Sequence, residues 1–305
     1  MSDERRNEGC RTAVLGLGSM GMGMARALVA AGLPVWGFDV DDAREAAFRE
    51  DGGMPGSRAD AASGADVVVS VVVNAAQTEA LLFGDDGIAG RLRPGAVFVS
   101  CATVAPAFAR SMAARLEERD IDYLDAPMSG GSVKAATGQL TMMASGSARA
   151  FSTARPALDA MTETIFELGP EAGAGSAMKI VNQLLAGVHI AAAAEALTFG
   201  LSQGIDPATT LAVISKCAGT SWMFENRAPH IVAGDYTPHS AVDIFVKDLG
   251  IVAEVAHAAK FSAPLTAAAL QQFVAASGSG LGREDDAAVA KVYARNAGLT
   301  LPGEG

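Results

Sequence analysis

Cysteine is scarce in this sequence: its 305 residues include three, Cys10, Cys101 and Cys217. An odd number of widely separated cysteines provides neither a disulfide framework nor the close ligand spacing of a metal site. The sequence therefore predicts a protein of the reducing cytoplasm with no bound metal. Cys101 is interpreted as a small buried residue, not as a reactive thiol.

Positive charge and aromatic side chains are also limited. Lys and Arg number 23 against 34 Asp and Glu, which gives a net charge of −11, and aromatic residues make up 6% of the chain. Nucleic-acid binding needs a basic surface, so the charge excludes that class of partner. An anionic substrate must be held by local hydrogen-bond donors. The length is sufficient for two domains.

Long apolar runs are few, and the run at residues 184–201 is long enough in principle to cross a membrane. His189 and Glu195 lie within it, and charge at membrane depth is costly. We therefore interpret it as the central helix of a soluble protein and predict no membrane association. Residues 1–11 lack the apolar core of a signal peptide and are predicted to be a disordered tail.

A glycine-rich turn follows the first predicted strand, residues 12–15. It reads GLGSMG over residues 16–21 and leads into a helix. In a dinucleotide-binding unit, Gly16 allows the tight turn, Gly18 lets the backbone approach the pyrophosphate, and Gly21 lets helix and strand pack closely. The helix N-terminus meets the phosphate charge. The turn therefore predicts a nucleotide site.

The acid expected to bind the ribose of that nucleotide is Asp39, at the end of the next predicted strand, residues 35–38. Its distance along the chain from Gly18 fits this role. A carboxylate here accepts hydrogen bonds from the ribose hydroxyls and repels a 2′-phosphate. Asp41 and Asp42 follow it, and no arginine does so immediately. The sequence therefore predicts NAD as cofactor, in preference to NADP.

Further strands are predicted at residues 66–73, 96–100, 121–124, 140–145 and 165–168, alternating with helices. Ligands bind at the carboxyl ends of parallel strands, so Asn74 and Thr103 are candidates for cofactor contact, with helix capping as the alternative. The pattern predicts an α/β Rossmann-type domain over residues 12–172. Helical periodicity then predicts an all-helical domain over residues 173–305, joined to the first by the long central helix.

Lys179 lies near the start of that central helix, which is predicted to begin at Ser176 as N-cap. The positive end of the helix dipole disfavours an ammonium, so this position favours a lysine that can lose its proton. A free lysine has a pKa of about 10.4, and a general base near neutral pH requires a fall of roughly three units. Asn182 lies three residues further on the same helix. A solvated surface lysine is the alternative.

A second polar segment follows the predicted strand at residues 121–124. Ser129, Gly130 and Gly131 expose backbone N–H groups and a hydroxyl, which together suit a carboxylate. The alternative is a plain loop.

Four stretches resemble the signatures of the β-hydroxyacid dehydrogenase family, which includes the 3-hydroxyisobutyrate, tartronate semialdehyde and L-threonate enzymes. They are GLGSMGMGMA at residues 16–25, DAPMSGG at 125–131, GAGSAMKIVNQ at 173–183 and KDLG at 247–250. The resemblance implies oxidation of a small hydroxy acid with NAD as hydride acceptor. It implies a catalytic Lys179, substrate binding by Ser129, Gly130, Gly131 and Asn182, and cofactor binding by Gly16, Leu17, Gly18, Ser19, Met20, Gly21, Asp39, Asn74, Thr103 and Lys247.

Finer features resemble the L-threonate branch: Lys134 within SGGSVKAATG, the run NQLLAGVHIAAAAEA, and SWMFENRAPHIVAGDY. They imply L-threonate as substrate, with 3-hydroxyisobutyrate or tartronate semialdehyde as alternatives. Lys134 can equally be an exposed loop lysine. An NAD-binding redox sensor and an imine reductase are further alternatives, which Lys179 disfavours. No arginine cluster suits a phosphorylated sugar acid. The apolar central helix predicts a homodimer or homotetramer.

Overall fold

The computed structural model describes residues 9–303. The chain divides into two compact units, one ending at Lys179 and the other beginning at Ile180. This division lies inside a long helix, beyond the boundary predicted between residues 172 and 173. Of the predicted tail, residues 1–8 lie outside the described residues. Cys10 is buried and the Arg11 amide donates to Asp66 at 2.7 Å, so packing begins before residue 12.

The first unit contains a parallel sheet of five strands. These are β1 (Thr12–Leu15), β2 (Val35–Phe38), β3 (Val67–Ser70), β4 (Val97–Ser100) and β5 (Asp122–Asp125). Their order is β2-β1-β3-β4-β5, and in register Ser70 lies opposite Ser100, which lies opposite Asp125. Because all five run in one direction, the residues that follow them lie along one edge of the sheet.

Strand β3 is shorter than predicted, ending at Ser70 instead of Val73. Its neighbours β1 and β4 end in register with it, at Leu15 and Ser100, so the chain beyond Ser70 has no strands to pair with. The strand consists mostly of β-branched residues and is buried on both faces, as is typical of a central parallel strand. Val69 belongs to one apolar cluster and Val68 to another, and both side chains are fully buried.

A smaller sheet completes the unit. It consists of β6 (Met128–Ser129), β7 (Leu140–Ala144) and β8 (Thr162–Glu167), with β6 antiparallel and β8 parallel to β7. The helices of this unit are α1 (Ser19–Ala30), α2 (Asp42–Glu50), α3 (Arg58–Gly64), α4 (Ala75–Phe83), α5 (Pro106–Glu117), α6 (Gly131–Ala136) and α7 (Ala148–Met161).

The second unit is helical. Helix α8 (Ala174–Ser202) begins in the first unit and continues into the second. It is followed by α9 (Pro207–Ile214), α10 (Trp222–Ala233), α11 (Val242–Ala258), α12 (Pro264–Ala276) and α13 (Val289–Ala297). The core of the second unit includes the rings of Phe245 and Phe273, stacked with centroids 5.2 Å apart. The predicted order of an α/β domain, a long helix and an all-helical domain is confirmed.

Helix α8 is also long and apolar enough to cross a membrane by length and composition alone, with a mean hydropathy of 1.6. One such helix is weak evidence, because core helices of soluble proteins have the same length and composition. In the most apolar stretch of α8, 39% is buried inside the structure.

Candidate active site

The glycine turn between β1 and α1 has the geometry that its sequence predicts. Gly16 has φ +99°, and a Cβ there would lie 2.5 Å from the Val71 carbonyl oxygen. A Cβ on Gly21 would lie 1.8 Å from the Gly16 carbonyl oxygen. A side chain at either position would collide with backbone, so both glycines are required by the fold itself.

Gly18 differs from its two neighbours in the motif. A Cβ there would meet only the Arg44 guanidinium, at 3.8 Å, so nothing in the protein requires a glycine. Gly18 is also the N-cap of α1, and it provides no side-chain cap. An open glycine and an uncapped helix N-terminus leave space and N–H donors for a phosphate group, so the segment fits the pyrophosphate of NAD.

Asp39 directly follows β2, and its side chain is almost fully buried. Its Oδ2 accepts from the Leu17 amide at 2.6 Å, and its Oδ1 accepts from the Asp41 amide at 3.0 Å. The carboxylate is thereby fixed beside the glycine turn. Sequence reasoning missed Arg44, whose guanidinium lies 3.7 Å from Asp39 and 3.3 Å from Asp41. Arg44 lies five residues beyond Asp39, and one turn of α2 brings it back.

Asn74 and Thr103 follow β3 and β4 at the same edge of the sheet. The Asn74 Oδ1 accepts from the Gln77 amide at 2.9 Å, which makes Asn74 the N-cap of α4. The side-chain oxygen of Asn74 therefore caps the helix, which is the alternative given from the sequence. Thr103 is half-buried in the loop before α5. Contact of either residue with cofactor stays a prediction.

The segment after β5 carries Ser129, Gly130 and Gly131. Ser129 ends β6 and is half-buried, whereas both glycines are exposed. Gly130 has φ +139° and Gly131 has φ +72°, backbone conformations that other residues rarely adopt. The segment is therefore an open turn with accessible backbone, as a substrate-carboxylate loop requires.

Lys179 is buried, with 8% of its surface exposed, although lysine is among the residues least often buried. Its Nζ donates to the Met128 carbonyl oxygen at 2.9 Å. Met128 directly precedes Ser129, so the structure brings the predicted catalytic amine to the predicted substrate loop. The alternative of a solvated lysine is wrong.

The start of α8 differs from the prediction. The helix begins at Ala174, so Ser176 lies inside its first turn and is not its N-cap. The N–H groups of Gly173 and Ser176 donate to Asp125 Oδ2, at 2.9 and 2.8 Å, and the Ser176 hydroxyl donates to Asp125 Oδ1 at 2.7 Å. The Gly175 amide donates to the Ser145 hydroxyl at 3.0 Å. A distant strand end therefore caps this helix.

Burial dominates the electrostatics of Asp125, the last residue of β5, and of Cys101, which directly follows the neighbouring strand β4. Burial raises the pKa of the Asp125 carboxyl, and the hydrogen bonds from Ser176 and Gly173 oppose this effect. Burial and the nearby Asp125 raise the pKa of the Cys101 thiol to about 12, so Cys101 is an unreactive buried residue, as predicted.

In the second unit, a chain of hydrogen bonds runs from α8 to α11. Asn182 Nδ2 donates to Gln183 Oε1 at 2.9 Å, and Gln183 Nε2 donates to Asp248 Oδ2 at 2.5 Å. Lys247 Nζ lies 2.6 Å from Asp248 Oδ1. Asp248 therefore positions Lys247. Gln183 was missed, although it follows Lys179 by four residues, the spacing of one helix face.

Lys134 lies in α6 and is exposed. Its Nζ lies 3.5 Å from a carboxylate oxygen of Glu163 on β8, which is the contact of an ordinary surface lysine. Within residues 9–303, no group of three or more His, Cys, Asp or Glu side chains is placed to hold a metal ion.

Comparison with known proteins identifies the family. Residues 11–169 match the NAD-binding domain of 6-phosphogluconate dehydrogenase, and residues 173–293 match the NAD-binding domain of NADP-dependent 3-hydroxyisobutyrate dehydrogenase. The chain is 52% identical over 292 residues to L-threonate dehydrogenase of Cupriavidus necator, covering 95% of this chain and 97% of that protein. It is 49% identical to L-threonate dehydrogenase of Escherichia coli K12, covering 95% and 96%.

A solved structure agrees with both matches. The crystal structure of 3-hydroxyisobutyrate dehydrogenase from Salmonella typhimurium superposes with a TM-score of 0.88 at 47% identity, covering 93% of this chain and 99% of that one. The chain therefore belongs to the β-hydroxyacid dehydrogenase family, related to 3-hydroxyisobutyrate dehydrogenase, and is an NAD-dependent hydroxyacid dehydrogenase.

Proposed function

We propose that this enzyme oxidises L-threonate and that Lys179 is its general base. The single observation that carries the catalytic proposal is the buried Lys179 amine, 2.9 Å from the carbonyl oxygen of Met128, the residue before Ser129. The two relatives named as L-threonate dehydrogenases support the substrate.

The assigned residues divide between substrate and cofactor. The backbone of the 129–131 turn and its serine hydroxyl bind the substrate carboxylate, and Asn182 binds the remainder of the substrate. When bound, NAD supplies the hydride acceptor. Its binding residues are Gly16, Leu17, Gly18, Ser19, Met20, Gly21, Asp39, Asn74, Thr103 and Lys247.

The amine of Lys179 accepts the proton that the substrate hydroxyl loses. In its neutral form it keeps one lone pair and two N–H bonds. One N–H donates to the Met128 carbonyl, which fixes the nitrogen at the substrate turn. The lone pair then accepts the proton of the substrate hydroxyl as the adjacent carbon loses hydride. In the reverse direction the ammonium returns that proton to the carbonyl oxygen.

The substrate is tested by following NAD reduction with L-threonate, D-threonate, erythronate, D-glycerate and 3-hydroxyisobutyrate. We expect the highest kcat/KM with L-threonate. A higher value with 3-hydroxyisobutyrate would favour the alternative suggested by the Salmonella typhimurium protein. Binding of NADH without turnover of any acid would favour a redox sensor.

Gly18→Ala is expected to weaken NADH binding by about tenfold to a hundredfold, because the added methyl group occupies space needed by the pyrophosphate. The protein itself has room for this methyl group, so the thermal unfolding temperature should not change. Fluorescence titration with NADH and a thermal melt measure the two effects. Gly90→Ala is the control, since a Cβ on Gly90 meets nothing within 4 Å. Equal NADH affinity in both variants would refute the assignment of Gly18.

Asp39→Ser is expected to raise kcat/KM for NADP at least about tenfold and to lower it for NAD. The substitution removes a negative charge from the 2′ position and leaves Arg44 free to pair with a 2′-phosphate. The double variant Asp39→Ser/Arg44→Ala should lose the gain with NADP. Kinetics with each cofactor measure both effects. Equal use of NADP and NAD by the unaltered enzyme would contradict the role of Asp39.

We also propose a cytoplasmic homo-oligomer, a dimer or tetramer, in which a second copy covers one face of α8. That face carries Met178, Val181, Leu185 and Phe199, which are 44%, 53%, 51% and 65% exposed. Their spacing places them along one side of the helix. Sedimentation should give a mass of at least two chains, and Leu185→Glu should lower it.

A further inference from the structure

We infer that Asp125 is the positioning residue for Lys179: its carboxylate fixes the first turn of α8 to the end of β5 and thereby sets where the amine lies. This inference rests on the proposed role of Lys179 as general base. In this assignment Asp125 itself binds neither the cofactor nor the substrate.

Both carboxylate oxygens of Asp125 accept hydrogen bonds from the start of α8. Oδ2 accepts the N–H groups of Gly173 and Ser176, and Oδ1 accepts the Ser176 hydroxyl. Asp125 and Ser176 are fully buried. Hydrogen bonds are stronger in a buried, low-dielectric environment than in water, and the N–H groups at the start of a helix need acceptors from outside the helix. The first turn is therefore held rigidly.

The backbone allows little freedom around this anchor. A Cβ on Gly175 would lie 2.5 Å from the carbonyl oxygens of both Asp125 and Met143, so α8 begins in close contact with two strands. Asp125 and Ser145 also exchange two backbone hydrogen bonds, at 3.0 and 2.9 Å. The backbone of Asp125 is thus fixed independently of its side-chain contacts with the helix.

A second contact joins the same two segments. Met128 lies three residues after Asp125, and its carbonyl oxygen accepts from Lys179, which lies one turn after Ser176. The segment 125–128 therefore contacts α8 at its first turn and again at the amine. A shift of the first turn moves Lys179 by a similar distance relative to the substrate turn.

The role does not depend on pairing opposite charges. Within the part of the chain that the structure describes, no salt bridge involves Asp125, and its donors are neutral amides and hydroxyls. Asparagine can therefore take the place of Asp125, because its amide oxygen replaces Oδ2 and its amide nitrogen donates to the Ser176 hydroxyl. Alanine has no polar atom with which to make either contact.

The experiment compares Asp125→Ala, Asp125→Asn and Ser176→Ala in the full chain. We expect Asp125→Ala to lower kcat about a hundredfold, the cost of misplacing a reacting group by about 1 Å. KM for NAD and the affinity for NADH should not change. Asp125→Asn should restore most of kcat, and Ser176→Ala should lower kcat only a few-fold, about two- to fivefold.

Ser147→Ala is the matched control, because Ser147 caps α7 in the same unit and has no part in the site. It should lower the unfolding temperature without lowering kcat. If Asp125→Ala does not fold, the comparison of Ser176→Ala with Asp125→Asn still decides the question.

An unchanged kcat in folded Asp125→Ala or Ser176→Ala would overturn the inference, as would an equal loss of kcat and NADH affinity. The experiments distinguish a failure of the proposed general base from a failure of the proposed positioning role. Full turnover by Lys179→Ala would refute the general base, whatever Asp125 does. An inactive Lys179→Ala beside fully active Asp125 variants would refute only the positioning role.

Discussion

Lys179→Ala is expected to lower kcat for L-threonate oxidation by about three orders of magnitude, because it removes the group that accepts the hydroxyl proton. NADH should bind as before, since the glycine turn and Asp39 are unaltered. Steady-state kinetics and fluorescence titration measure the two quantities. A small primary amine added to the variant should restore part of the activity by entering the space left by the side chain.

The pH dependence gives an independent check on the same residue. In the unaltered enzyme kcat/KM should rise with pH as Lys179 loses its proton, and this rise should be absent from Lys179→Ala. Lys216→Ala, which removes an exposed lysine, is the control and should leave the profile unchanged. A Lys179→Ala variant with the same kcat and pH profile as the unaltered enzyme would exclude the role.

Arg227→Ala is expected to lower the free energy of unfolding by about 3–5 kcal/mol. Arg227 Nε and Nη2 donate to the two oxygens of Asp286 at 2.5 and 3.0 Å, and Asp285 lies 4.0 Å from the same guanidinium. Both carboxylates are fully buried, so the variant leaves two buried acids without their main cation. Thermal and denaturant unfolding measure the loss.

This destabilisation should depend on pH with a defined sign. Burial raises the pKa of Asp286, and Arg227 opposes that rise, so its removal raises the pKa further. An acid whose pKa is higher in the folded than in the unfolded protein contributes its full stabilisation of the folded state at pH values below its unfolded pKa. That contribution is lost as the pH rises through the folded pKa. The variant should therefore recover stability on acidification.

A surface pair provides the control for Arg227. Arg49 pairs with Glu45 at 2.9 Å on α2. Its replacement by Ala should cost less than about 0.5 kcal/mol, because solvent screens exposed pairs. If Arg227→Ala cost no more than Arg49→Ala, the buried cluster would not stabilise the second unit.

Local patterns predicted the parts of the site that depend on neighbouring residues. The glycine turn, Asp39 at the end of β2 and the long helix with Lys179 all follow from short stretches of chain. Each lies where a strand ends or a helix begins, and such boundaries carry strong local signals. The family resemblance added the substrate class.

Contacts between distant stretches could not be predicted in this way. Asp125 accepts from Gly173 and Ser176, which lie 48 and 51 residues further along the chain, so the local sequence indicated Ser176 as the cap of a helix that Asp125 caps. Arg44 approaches Asp39 only because the first turn of α2 carries it back toward the end of β2. The end of β3 depends on where its neighbours stop, which its own β-branched run does not encode.

The most direct test of the central claim is a crystal structure of the enzyme with NAD and L-threonate bound. We expect Lys179 Nζ to lie within about 3.2 Å of the substrate hydroxyl oxygen, with the substrate carboxylate on the turn at residues 129–131. An amine that remains on the Met128 carbonyl and out of hydrogen-bond reach of any substrate hydroxyl would contradict it.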